Sequence, residues 1–205
     1  LDSTALSITY LGPVQWYQKL HRSEKVFIDC HEHFVKQTYR NRCHIATSHG
    51  VQALTIPVVH DSAEDIRDIR LSDHGHWRHL HWQALQSTYG ESPFFEYYAD
   101  DLRPFYEKRW TYLYDFDMEL THLLCSLLDI RPRLEEAPRY LTPEDWADQD
   151  VADLRQAIRP KNPPADPAFQ ARPYYQLYRD RCGFRENLSI VDLLFNEGNE
   201  SIFFL

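Results

Sequence analysis

The 205-residue chain has no C-x-x-C pair, no internal repeat, no low-complexity tract and no apolar run near the roughly 20 residues needed to cross a bilayer. Its four cysteines, Cys30, Cys43, Cys125 and Cys182, stand far apart with no signal sequence ahead of them, so the cytoplasm is the expected compartment. A basic surplus is missing too. The net charge of -9 argues against nucleic acid or an anionic membrane as partner, because both are bound through extended basic faces. There is no Walker loop, no GxGxxG, no HExxH and no Cys-His ribbon, so neither a standard nucleotide fold nor a known zinc motif has support, and no cofactor is implied.

With 43% apolar residues the chain can bury a sizeable core, and its length fits one domain spanning 1–205. Tyrosine is the commonest ring and brings hydroxyls into apolar walls. Ser7 to Leu11 reads as a strand ending at Gly12-Pro13, with Val14, Tyr17 and Leu20 recurring at helical spacing after it. Val26 to Ile28 reads as a buried strand that turns polar at Asp29. Cys43–Thr47 and Val51–Val58 flank Ser48-His49-Gly50 as a hairpin with a three-residue loop. Ile66 and Ile69 are anchors in a charged connection from Asp61 to Ser72.

From Trp77 to Gly90 the pattern is helical, Ser92-Pro93 reads as the start of a second helix, and Leu120 to Leu128 carries a third stripe. Thr142-Pro143-Glu144-Asp145 is a further helix start. Five prolines between Arg159 and Pro173 predict an exposed, semi-extended loop. Ser189 to Phe195 reads as a short helix stopped by Gly198, with Ile202 to Leu205 as a last strand or docked tail. The expected class is α/β or α+β, a small mixed sheet from the N-terminal third covered by helices from the middle and C-terminal parts.

Several blocks together resemble the WbqC-like proteins of bacteria. They are the aromatic-proline start around Tyr10 to Tyr17, Lys36-Gln37-x-Tyr39-Arg40-Asn41-Arg42 followed by Leu54-Thr55-Ile56-Pro57-Val58, His81-Trp82 with Tyr89 and Pro93-Phe94-Phe95, and the ending Leu188 to Gly198. The resemblance implies a bacterial protein, in several cases encoded among genes for O-antigen or other surface polysaccharide. Longer members carry a segment before the final block that this chain replaces with its proline-rich loop, which implies a different or smaller substrate.

Lys36, Arg40 and Arg42, interleaved with Tyr39 and Asn41, form the one dense cationic cluster of an acidic chain. Guanidinium forks match phosphate or carboxylate, so the cluster is a candidate clamp for an anionic small molecule such as a sugar nucleotide or acyl donor; pairing with neighbouring acids is the alternative. His81 lies on an apolar helical stripe beside Trp82, a setting for a general base with lowered pKa or for a hydrogen-bonded core histidine. Asp192 interrupts an apolar run and shares a helical face with Asn196; Arg40 or Arg42 is its expected partner, with a catalytic or a structural role open. His31-Glu32-His33 and the run His74, His76, His79, His81 are weaker candidates for metal, and Cys30 and Cys43, each followed by histidine, for thiol chemistry. The resemblance implies acyl or aminoacyl transfer to an activated sugar or amino sugar in surface-polysaccharide assembly, with a non-catalytic binding or assembly protein of the same pathway as the alternative.

Overall fold

The structure, a computed structural model, describes residues 2–59 and 65–205. Four strands, β1 (Ser3–Ser7), β2 (Val26–Asp29), β7 (Leu134–Glu135) and β8 (Val151–Asp153), form a parallel sheet in the order β7-β2-β1-β8. Two antiparallel pairs lie outside it, β3 (Arg42–Thr47) with β4 (Gly50–Thr55) and β5 (Val58–Val59) with β6 (Arg70–Leu71). The helices are α1 (Val14–Arg22), α2 (Trp77–Tyr89), α3 (Phe95–Glu107), α4 (Leu113–Leu127), α5 (Pro143–Asp148), α6 (Arg179–Cys182) and α7 (Ile190–Glu197), followed by a 3-10 segment over Gly198–Phe204. The fold is mixed α/β, and the parallel sheet takes only β1 and β2 from the first third of the chain.

A parallel sheet needs cover on both faces, and alternation along its strands supplies two. Leu6, Val26 and Ile28 join the large core with α1, α4 and α7, whereas Ala5 and Phe27, paired in register, face Trp146 of α5 with Ala137 and Leu141. The Trp146 and Phe27 rings lie 4.9 Å apart.

Local signals place the termini. Thr142 and Asp145 form a reciprocal capping box at α5, Ser189 caps α7, and Gly198 takes φ 58 just past it. Other expectations move. The first strand is Ser3–Ser7, and Ile8, Tyr10 and Leu11 belong to a buried loop in which Tyr10 N–H donates to the Tyr39 carbonyl. Thr47 pairs with Gly50, so the hairpin loop is Ser48-His49 alone, and β4 stops at Thr55, before Pro57. Ser92 does not cap α3; Phe94 precedes that helix and its N–H donates to the Phe195 carbonyl of α7, so a tertiary contact fills the cap's place. Ile66 and Ile69 are fully buried, while part of that connection, residues 60–64, lies outside the described residues. The chain's end docks as a 3-10 segment with Leu205 buried.

Candidate functional site

The chain runs β1, β2, β7 outward in one direction and then places β8 on the other side of β1, so strand order reverses between β1 and β8. In open parallel sheets the crevice outside the carboxyl ends at such a reversal is the usual ligand site. A cleft of about 620 Å³ lies there. Its walls come from the segments that leave β2 (His31 to Val35), β7 (Pro138 to Tyr140) and β8 (Asp153 to Gln156), with Pro143 and Asp65 at the rim.

Behind the cleft is a buried ionic network. Arg155 sends Nη1 to Asp29 at 2.6 Å and grips Asp153 through Nε and Nη2 at 2.9 and 2.7 Å. Burial works to lower its pKa, and the bonds to Asp153 and Asp29 outweigh that and raise it, so the guanidinium stays charged. Tyr140 and Trp146 lie over the guanidinium at 5.1 and 5.9 Å. Arg40 reaches Glu32 through Nε and Nη2 at 2.8 and 2.9 Å, and its Nη2 also meets Ser7 Oγ at 2.9 Å. Ser7 ends β1, and its hydroxyl faces both Glu32 Oε2 and the Arg155 carbonyl. The last residue of β1 thus ties the two ion pairs together.

Asp29 Oδ1 accepts the backbone N–H groups of His31 and Glu32 at 2.7 and 3.2 Å, a side-chain turn that swings the chain into the cleft wall. His31 Nε2 lies 2.9 Å from the Ala137 carbonyl. A carbonyl only accepts, so Nε2 carries the proton and Nδ1 of the neutral ring keeps a lone pair. Among the described residues Nδ1 has no hydrogen-bond partner. The α1 N-terminus, where a phosphate-binding fold would hold its anion, is occupied: Val14 N–H donates to the Leu188 carbonyl and Gln15 N–H to Asn187 Oδ1.

The residues singled out in the sequence do not meet in one place. Within the cationic segment, Arg40 is 4% exposed and committed to Glu32, Arg42 is half-buried with Nε on Thr55 Oγ1 at 3.1 Å, and Lys36 is exposed with no ion pair among the described residues. Tyr39 is buried against His44, its pKa pushed up to about 12 by burial, and Asn41 donates to the Ile56 carbonyl.

His81 does not line the cleft. Its Nε2–H donates to the Thr55 carbonyl at 3.1 Å and its Nδ1 accepts from Tyr10, whose oxygen accepts from Tyr106. Burial, opposed by the Thr55 bond, lowers its pKa to about 4. Asp192 is held by Tyr89, Tyr174 and Gln176 at 2.6 to 2.9 Å rather than by Arg40 or Arg42, and Asn196 donates to the Asp192 backbone carbonyl. Burial pushes the Cys43 thiol up, away from thiolate, while Cys30 Sγ accepts from Arg67. No group of three or more His, Cys, Asp or Glu among the described residues is placed to hold a metal ion.

Arg139, Tyr140, Asp153 and Arg155 were not visible as site residues in the sequence. The one available signal was a short apolar pair, Val151-Ala152, turning polar at Asp153 after the α5 helix, the same pattern that marks Asp29.

The WbqC-like protein family model matches residues 9–162. The chain belongs to the WbqC-like family. An uncharacterized protein of Mycobacterium tuberculosis (strain ATCC 25618 / H37Rv), Rv1507c, is 32% identical over 192 residues, covering 82% of this chain and 81% of the relative. No solved structure matches. Every residue lining the cleft falls within the family span, and Asp192 and Asn196 fall beyond it. No helix among the described residues is long and apolar enough to cross a membrane.

Proposed function

We propose that this WbqC-like chain is a group transferase acting on an activated sugar or amino sugar in surface-polysaccharide assembly, with the accepting sugar seated in the carboxyl-edge cleft. The observation that carries this reading is the cleft's position at the strand-order reversal, lined by Tyr140, by the Arg155 guanidinium that its ring covers and by Asp153. A pyranose has an apolar face suited to a tyrosine ring and hydroxyls suited to a carboxylate and guanidinium fork. Val35, Pro138 and Pro143 supply more apolar wall, and a volume of about 620 Å³ suits a small ligand. The anionic part of a donor finds Arg139, 64% exposed at the rim, and Lys36 next to Val35. Arg40 enters behind the wall, where it fixes Glu32, and not as a clamp.

The engagement of both nitrogens of His81 and of both oxygens of Asp192 favours a second reading, a binding protein of the same pathway without turnover. Thermal stabilisation by sugar nucleotides, coenzyme A esters and aminoacyl donors tests the site. Ligand at 100 times its dissociation constant adds about 2.7 kcal/mol. A shift seen in the natural chain and lost in Tyr140→Ala and Arg139→Ala is expected. No shift with any member, or a shift untouched by both substitutions, overturns the assignment. Product formation then separates transferase from binder.

A further inference from the structure

We infer that the ligand of the carboxyl-edge cleft presents a primary ammonium group to the Asp153 wall, with an N–H directed at His31 Nδ1. The inference rests on the proposed cleft and names the charge of what it takes. The cleft, with its volume and its tyrosine face, is the site; the charges around it decide the sign of the ligand.

Three carboxylates, Asp29, Glu32 and Asp153, share two guanidiniums, Arg40 and Arg155, behind the wall. Arg40 is matched by Glu32, so Arg155 alone answers both Asp29 and Asp153. One negative charge is in surplus, held by backbone N–H groups, those of His31 and Glu32 at Asp29 and that of Arg155 at Asp153, and a cation that comes to it supplies the opposite charge they lack. Asp153 is the exposed end of the pair, its side chain 18% accessible against 1% for Asp29. A cation entering the cleft therefore meets Asp153.

The remaining ionisable groups facing the cleft point the same way. Asp65 at the rim is 42% exposed, and among the described residues its carboxylate has His33 Nδ1 at 3.7 Å as its ion-pair partner. Arg139, a cation of the lining, already donates from Nη1 to the Tyr140 carbonyl and to Asp145. In its neutral form His31 offers a lone pair at Nδ1, because the Ala137 carbonyl takes the Nε2 proton. Acceptors thus predominate on the wall, and the complementary ligand group is a donor with a positive charge. An anion in the same position would face the Asp153 carboxylate beside the donors that the lining does hold, the outward hydrogens of Arg155, the Gln156 amide and the Tyr140 hydroxyl.

Three pyranoses that differ only in charge provide the test: D-glucosamine, D-glucose and D-glucose 6-phosphate, titrated calorimetrically into the full chain. At about pH 7 the glucosamine nitrogen is mostly an ammonium, being below the range of an α-amino group, while a free imidazole is mostly neutral. Glucosamine is expected to bind about tenfold more tightly than glucose, and glucose 6-phosphate more weakly than either. Asp153→Asn is expected to bring glucosamine and glucose together, with a melting curve confirming that the variant is folded; if it is not, the comparison of the three sugars on the natural chain decides alone. Equal binding of glucose and glucosamine, both lost in Tyr140→Ala, overturns the ammonium inference and leaves the cleft standing as a sugar site. Preference for glucose 6-phosphate also overturns it. Failure of all three to bind removes the inference and its parent reading together.

Discussion

Arg155 illustrates how a single side chain can carry a site and be silent in the sequence. It is one of many arginines in a polar stretch, yet it is 5% exposed and joins β2 to β8 through Asp29 and Asp153. Arg155→Ala leaves the buried Asp29 and the partly buried Asp153 without a cation and is expected to cost about 3–5 kcal/mol in urea denaturation; Arg155→Lys recovers little, since an ammonium cannot fork onto Asp153 while reaching Asp29. A loss below 1 kcal/mol would mean that the pair is dispensable. His81 is the opposite case, a residue conspicuous in the sequence whose partners lie inside the core. Burial holds its folded pKa at about 4, below the ordinary 6.5 of the unfolded chain. The unfolded state therefore binds the proton first, so stability from this group is complete above about pH 6.5 and is lost as pH falls toward 4, by about 3 kcal/mol in all. His81→Gln is expected to flatten that part of the pH–stability curve, and an unchanged acid slope would show that other groups set it. Spacing revealed that His81 and Asp192 sit among apolar neighbours, which both structural and catalytic groups do. Their hydrogen-bond partners, Tyr10 and Thr55 for one and Tyr89, Tyr174 and Gln176 for the other, come from distant parts of the chain and have no local signature.

Helix ends were legible wherever the cap is local. Thr142 with Asp145 at α5 and Ser189 with Gly198 around α7 follow from neighbouring residues alone. Because α5 follows the segment that supplies Pro138, Arg139 and Tyr140 to the cleft, Thr142→Ala is expected to cost about 1 kcal/mol and to loosen that wall, visible as faster amide exchange over 139–146; exchange unaltered there would sever the cap from the cleft. At Gly198 two costs coincide, a φ of 58 and a Phe94 ring carbon 2.8 Å from where a Cβ would stand. Gly198→Ala is expected to lose more than the roughly 1 kcal/mol of an ordinary left-handed glycine, measured by thermal or urea unfolding. Strands were harder to read. β7 and β8 have two and three residues, too few for a period, and exist because β1 and β2 leave edges for them to pair with. The expected strand from Ser7 to Leu11 is a buried loop for a related reason: Ile8, Tyr10 and Leu11 are apolar because they are enclosed, and enclosure alone produces the composition of a strand.

Across the whole molecule, the proline-rich stretch has a structural task that its composition conceals. Residues 161–165 are exposed as expected of such a loop, but Asp166 turns back onto α1, where it meets Lys19 Nζ at 2.6 Å and Gln15 Nε2 at 2.8 Å, and the Ala168 carbonyl accepts from Gln18. These contacts explain why a helix with Gln15, Gln18 and Lys19 in its middle buries all three. Burial acts to raise the Asp166 pKa, and the bonds from Lys19 and Gln15 outweigh it and lower the value. A depressed folded pKa means that this contribution is present above the unfolded carboxylate pKa and disappears as pH falls through the folded value. The loop should therefore open in acid before the parallel sheet does. Asp166→Ala imposes the same opening at neutral pH by leaving Lys19 buried without its partner. If loss of the contact is worth about 1–3 kcal/mol, the population of the opened loop rises by about 5- to 150-fold, and limited proteolysis between 159 and 173 should accelerate by a similar factor when opening is rapid relative to cleavage. Lys19→Met, which removes the buried charge along with the pair, should cleave more quickly than the natural chain yet more slowly than Asp166→Ala, because Gln15 still holds Asp166 and no unpaired cation remains. Cleavage of Asp166→Ala at the natural rate would show that Phe169, packed against the core, and the Gln18 bond hold the loop without the ion pair.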